Sequence, residues 1–171
     1  MTFLKNFQCA AVLVALWALA AIAQAPQISL TSTSGATVSS GELRGKVTVL
    51  SFGATWVPLT GKELPALQKL ADRYAGRGVQ VYWVSVNSAK AGAKNFMTDA
   101  DLVAFAQQRG LRLPVLRDSE QAAYQAFGLD ALPTVVILNK DGSVARKLVG
   151  FDPNQSEAYG AAMKELDQLL K

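Results

Sequence analysis

An unbroken β-branched and apolar run, Val47 to Phe52, enters a short loop at Gly53 to Pro58, and a helical pattern with Leu64, Leu67 and Leu70 on one face leaves it. A strand, a tight loop and an amphipathic helix in that order suit an open sheet with helices packed on it. They also hold the loop at the strand's carboxyl end, where such sheets build their sites. The helix is expected to start near Leu59 to Gly61 and to run to about Tyr74, with Pro65 inside it. An interior proline costs about 3 kcal/mol and kinks a helix, so the residues alone allow either a kinked helix or a later start.

The remaining chain supplies more pieces of an α/β fold. Gln24 to Ser40 predicts a short hairpin or edge strand that turns at Gly35. Val79 to Val86 is apolar on both faces, as an interior strand requires. Thr98, Asp99 and Asp101 open a helix that Gly110 ends: the threonine can cap, and the acids lie in the positive first turn. Leu113 to Asp118 is a short extended piece, with a helix from Ser119 or Glu120 to Phe127. Val135 to Leu138, the turn Asn139 to Gly142 and Ser143 to Val149 form a hairpin by their own signals. Pro153 to Lys171 reads as an amphipathic closing helix with Tyr159, Met163, Leu166, Leu169 and Leu170.

The first residues carry one cation, Lys5, then the apolar run Ala10 to Ala23, which ends on small residues fit for cleavage after Ala23. This is the pattern of a secretory signal, 1–23, leaving 24–171 as one domain in the periplasm or outside the cell. The run is shorter than the roughly 20 residues of a membrane span, so no permanent anchor is expected; a tether through an uncleaved signal is the alternative. The single cysteine, Cys9, falls inside that signal and lacks the small residue before it that lipidation needs.

Cleavage leaves no cysteine, and the chain has no histidine. Thiolate nucleophiles, disulfide staples and histidine-based triads are thereby excluded. No glycine-rich phosphate loop, haem-attachment motif or ligand cluster appears, so neither cofactor nor metal is expected. The cations Arg44, Lys46, Lys62, Lys69, Arg73, Arg77 and Lys94 are scattered among elements, which excludes the basic stripe of a nucleic-acid binder.

Ser51 to Leu67, SFGATWVPLTGKELPAL, resembles the thioredoxin fold and most closely the extracytoplasmic TlpA/ResA-like thiol-disulfide oxidoreductases, whose stretch runs roughly FWATWCPPCRKELP. Upstream, TVSSGELRGKVTVLSF resembles the family's entry into its central strand. Downstream, RLPVLRDSEQAAYQAFGL resembles its inserted strand and helix, and Leu132-Pro133-Thr134 with the hairpin resembles its LPT-strand-DG-strand unit. The match extends from about Gln27 to Leu170. It implies a thioredoxin-like α/β domain: a central mixed β-sheet flanked by helices, with the inserted helix and strand, an N-terminal β-hairpin and a cis bond before Pro133.

The family's chemistry does not carry over. Val57 and Thr60 stand where its two cysteines do, and Gly53 where it has tryptophan. Dithiol exchange needs a thiolate and a resolving thiol, and Thr60 is read instead as a cap at the helix start. Ser51 stands where classical thioredoxins bury an acid, and Asn87-Ser88-Ala89 offers no carboxylate near the site. What the resemblance does imply is an apolar rim of Trp56, Pro58 and Leu59 beside Pro133. There the backbone of Leu132 can pair with an extended peptide, so Trp56, Val57, Pro58, Leu59, Leu132 and Pro133 are the candidate peptide-binding residues. Alternatives are a rim that is leftover packing, an oxidoreductase working through a partner's thiols or an unrecognised cofactor, and a structural envelope protein.

Overall fold

The computed structural model describes residues 25–155 and 157–171. The expected signal, 1–23, lies outside them. Strands β1 (Ser29–Ser32) and β2 (Thr37–Ser39) form the N-terminal hairpin, closed by Gly35 at a φ of 90°, and α1 (Ser40–Leu43) leads to β3 (Val47–Gly53). Then follow α2 (Pro58–Tyr74), β4 (Val79–Ser85), α3 (Asp99–Gln108), β5 (Val115–Arg117), α4 (Ala122–Ala126), β6 (Thr134–Leu138), β7 (Val144–Val149) and α5 (Gly160–Leu169).

The strands form one seven-stranded sheet in the order β2-β1-β5-β4-β3-β6-β7. β3, β4 and β5 run parallel, and the other pairings are antiparallel, so the sheet is mixed. Period-two alternation splits the core. Val47, Val49, Val81, Trp83, Val135 and Ile137 pack beneath α2, α3 and α5, on Leu64, Leu67, Tyr74, Leu102 and Leu166. Leu50, Phe52, Val84, Val136 and Leu138 face the other way, onto Leu43, Ala123 and Phe127. Phe52 makes an edge-on contact with Phe127 at 5.8 Å between ring centres.

α2 continues unbroken through Pro65, whose ring is exposed, so the proline does not mark a later start. Two helices are shorter than their sequence patterns. In α4 the first three expected residues form a turn: Asp118 accepts the backbone N–H groups of Ala123 at 3.1 Å and Tyr124 at 2.7 Å, and Gln121 takes a φ of 57°. α5 starts at Gly160 because Asp152 takes the N–H of Asn154 at 2.9 Å and Gly160 bonds back to Glu157, turning the chain before the helix begins. Thr98 caps α3 as expected, with Asp101 completing a capping box.

Candidate functional site

β3 delivers its loop to one end of the sheet, and local hydrogen bonds hold it there. Val57 N–H bonds to Ala54 C=O at 3.1 Å and Thr60 N–H to Val57 C=O at 3.0 Å, closing the turn into α2. Asn87, buried beyond β4, pins the loop from the side. Its Oδ1 accepts from Thr55 N–H at 3.1 Å and its Nδ2 donates to Thr55 Oγ1 at 2.8 Å.

Val57 is the N-cap residue of α2 and Pro58 its first residue, a position that wants neither an N–H nor a free φ. Thr60 is therefore not the cap expected from the sequence; it lies inside the first turn, fully buried, and its Oγ1 accepts from Ala54 N–H at 3.3 Å. Gly53 explains the crowding there. A Cβ on it would stand 2.7 Å from Thr60 Cγ2 and 2.8 Å from Trp83 Nε1, so the indole of β4 and the threonine of α2 fill the space a side chain at 53 would need.

Beneath the loop lies a carboxyl group that sequence reasoning passed over. Glu63 is fully buried, and its Oε1 accepts from Ser51 Oγ at 2.9 Å and from the hydroxyl of Tyr159. Its Oε2 has no hydrogen-bond partner among the described residues. Burial pushes the carboxyl up to about 7, against the opposing pull of the Tyr159 and Ser51 hydrogen bonds. The Tyr159 hydroxyl is pushed well upward by burial and by the charge of Glu63. Ser51 is uncharged, but the acid expected to be missing from this region enters from the helix. The sequence signal was Glu63 itself, a lone acid on the face shared with Thr60, Leu64 and Leu67.

At the same end, β6 begins at Thr134, which pairs with Phe52, and the Leu132–Pro133 bond before it is cis, as the resemblance implies. The six candidate residues differ in exposure. Trp56 is 49% exposed; Pro58 is exposed; Val57, Leu59 and Leu132 are half-buried; Pro133 is buried, so it offers no ring to a ligand. Val57 and Leu132 pack on one apolar cluster with Phe52. The backbone N–H and C=O of Leu132 make no hydrogen bond among the described residues, whereas Pro133 C=O is taken by Gly150 N–H at 2.8 Å. Val149, 64% exposed and paired in register with Thr134, extends this apolar edge and was not among the sequence candidates. Among the described residues no three His, Cys, Asp or Glu side chains form a group able to hold a metal ion.

The profile of the AhpC/TSA family matches residues 22–147. The chain belongs to the AhpC/TSA family. Within it, this family member is 29% identical over 137 residues to the thiol-disulfide oxidoreductase ResA of Bacillus thuringiensis strain Al Hakam, covering 80% of this chain and 74% of that one. Its fold matches a Chlorobium tepidum protein described as a thiol:disulfide interchange protein DsbE, at a TM-score of 0.70 and 24% identity over 86% of this chain and 96% of that one. A Neisseria meningitidis protein described as a thioredoxin matches at a TM-score of 0.67 and 29% identity, over 85% and 89%. The thioredoxin-like fold and the thiol-disulfide oxidoreductase kinship of this AhpC/TSA member are thus shown, while Val57 and Thr60 occupy the loop where its resemblance to the TlpA/ResA-like proteins places thiols.

Proposed function

We propose that this chain is an exported thioredoxin-like protein with no dithiol exchange of its own, and that it holds an extended segment of a partner protein beside the altered loop. The observation that carries the reading is the free backbone of Leu132 at the end of the sheet that also carries exposed Trp56. A half-buried residue with an unused donor and acceptor can pair with an incoming strand, and strand addition draws its affinity from main-chain bonds and its selectivity from nearby apolar surface. Trp56, Val57, Pro58 and Leu59 supply that surface on one side, with Val149 on the other. Pro133 acts through its backbone position, since its ring is buried.

The absence of exchange rests on Val57, which can be neither ionised nor oxidised, and on Thr60, buried with its hydroxyl turned to Ala54. Export rests on the N-terminal apolar run. Among the described residues no helix is long and apolar enough to cross a membrane. Nothing in this reading requires a cofactor, a metal or a nucleic acid.

Hydrogen exchange of the Leu132 amide tests it. Unstructured reduced and alkylated protein, added as a generic extended partner, should slow exchange at Leu132 and shift the Trp56 indole resonance together. Unchanged exchange at saturating partner would remove the strand-pairing reading. A cysteine-free sample that nevertheless reduced insulin disulfides would remove the other half.

A further inference from the structure

Away from the altered loop, α2 meets the segment that enters α5 along a cleft of about 310 Å³. That is within the size range of small-molecule sites. Its lining is largely apolar: Leu70 and Tyr159 are buried, and Ala66 and Met163 are half-buried. Its rim carries Lys69 and Arg73, one helical turn apart on the exposed face of α2. Neither makes an ion pair or a side-chain hydrogen bond among the described residues, although other exposed arginines do: Arg77 pairs with Asp167 and Arg112 with Asp72.

Among the described residues the one acid lining the cleft, Glu157, is turned toward the start of α5. Its Oε2 lies 3.6 Å from where a Cβ on Gly160 would stand, at the positive end of that helix. The two cations are thus left facing an apolar hollow. An apolar body would cover Leu70 and Met163, and a carboxylate at its end would meet the planar fork of Arg73 with Lys69 beside it.

We propose that this cleft is a binding site for a small soluble amphiphile, an apolar chain ending in a carboxylate. The site is separate from the strand-pairing edge, so either can fail without the other. It touches the buried polar cluster through one residue: Tyr159 lines the cleft and its hydroxyl bonds to Glu63.

The test uses the purified protein labelled at its methionine methyl groups, with decanoate as probe below its micelle-forming concentration. Met163 sits in the cleft, and Met97 lines a different surface hollow and serves as internal control. Decanoate should shift the Met163 methyl saturably and leave Met97 in place. Decyltrimethylammonium, with the same chain and the opposite head, should bind at least about tenfold more weakly, and the double variant Lys69→Gln, Arg73→Gln should lose about tenfold in decanoate affinity. Both residues are exposed, so circular dichroism of the variant should match the parent. Absence of a saturable Met163 shift, equal binding of the two head groups, or an unaffected double variant would each overturn the proposal. A Met163 shift seen only with phosphatidylglycerol vesicles would overturn it too, assigning the cations to a lipid surface.

Discussion

Ser51 Oγ donates to Glu63 Oε1 at 2.9 Å, joining the middle of β3 to the inner face of α2, and among the described residues neither group bonds to a cation. Burial penalises the ionised carboxyl, so the folded state holds the Glu63 proton more tightly than the unfolded chain does. The folded value is about 7 against an ordinary 4.5. The sign follows: the folded state binds the extra proton between these values. Stability from this group is full below about 4.5, falls as pH rises toward 7 and is flat above it. The span corresponds to roughly 3 kcal/mol. Glu63→Gln keeps a carbonyl acceptor for Ser51 and Tyr159 and removes the charge. Urea unfolding from pH 4.5 to 8 should show this slope in the parent and a flatter profile in the variant, with the variant the more stable above pH 7. Parallel profiles would mean that Glu63 is not the group responsible.

Gly53 has no room for a methyl group. With a Cβ 2.7 Å from Thr60 Cγ2 and 2.8 Å from Trp83 Nε1, both on buried residues, Gly53→Ala must displace packed side chains. Overpacking of this kind costs about 1–3 kcal/mol. Trp83 Nε1 has no hydrogen-bond partner among the described residues, so the indole is replaceable without breaking a bond. Gly53→Ala combined with Trp83→Phe should therefore destabilise by less than the two single changes added together. Additive thermal shifts would show that Thr60 alone sets the clash.

The loop still has the geometry of a bridge. Thr60 N–H bonds to Val57 C=O at 3.0 Å, and the Cα atoms at the ends of such a turn lie less than about 7 Å apart, close to the upper end of the roughly 4.4–6.8 Å that a disulfide spans. The double change Val57→Cys, Thr60→Cys should oxidise in the folded protein, read as the loss of two hydrogens by intact mass and of the signal with Ellman's reagent. Thiols that persist under an oxidising glutathione buffer without denaturant would show that the buried threonine position is sealed against a bridge. Dithiol activity is not expected from these thiols alone, because Gly53 and Ser51 also differ from the family pattern.

What was legible in the sequence followed from period. The apolar runs of β3, β4 and β6 and the leucine spacing of α2 fix the sheet and its covering helix, because burial on both faces or on one stripe leaves its mark in neighbouring residues. The site was legible as far as its loop. Thr60 was misplaced because Pro58 starts the helix earlier than the leucine pattern shows. Glu63 was missed because its partners, Ser51 and Tyr159, come from other elements, one of them near the far end of the chain. The burial of Pro133 and the exposure of Val149 were not legible for a similar reason: which side of β6 and β7 is covered depends on the sheet order, which no local pattern states.

Binding at the altered loop should depend on Trp56. Its ring is 49% exposed although the loop beneath it is held by Asn87, so the exposure belongs to a fixed surface. Aromatic anchors dominate contacts of this kind, and removing one typically costs about 2 kcal/mol or more, roughly thirtyfold in affinity. Trp56→Ala should weaken capture of an extended partner by about that factor with little change in thermal stability, since the side chain is not part of either core cluster. Val149→Ser, at the opposite end of the apolar edge, should cost less, because valine buries less surface than tryptophan. Lys164→Ala, exposed on α5, should cost nothing. Isothermal titration of the three variants with one extended partner reads the order directly. If Trp56→Ala binds as well as the parent while Leu132 stays protected by the partner, the main chain alone holds it. If neither responds, the surface that meets the partner lies elsewhere on the domain.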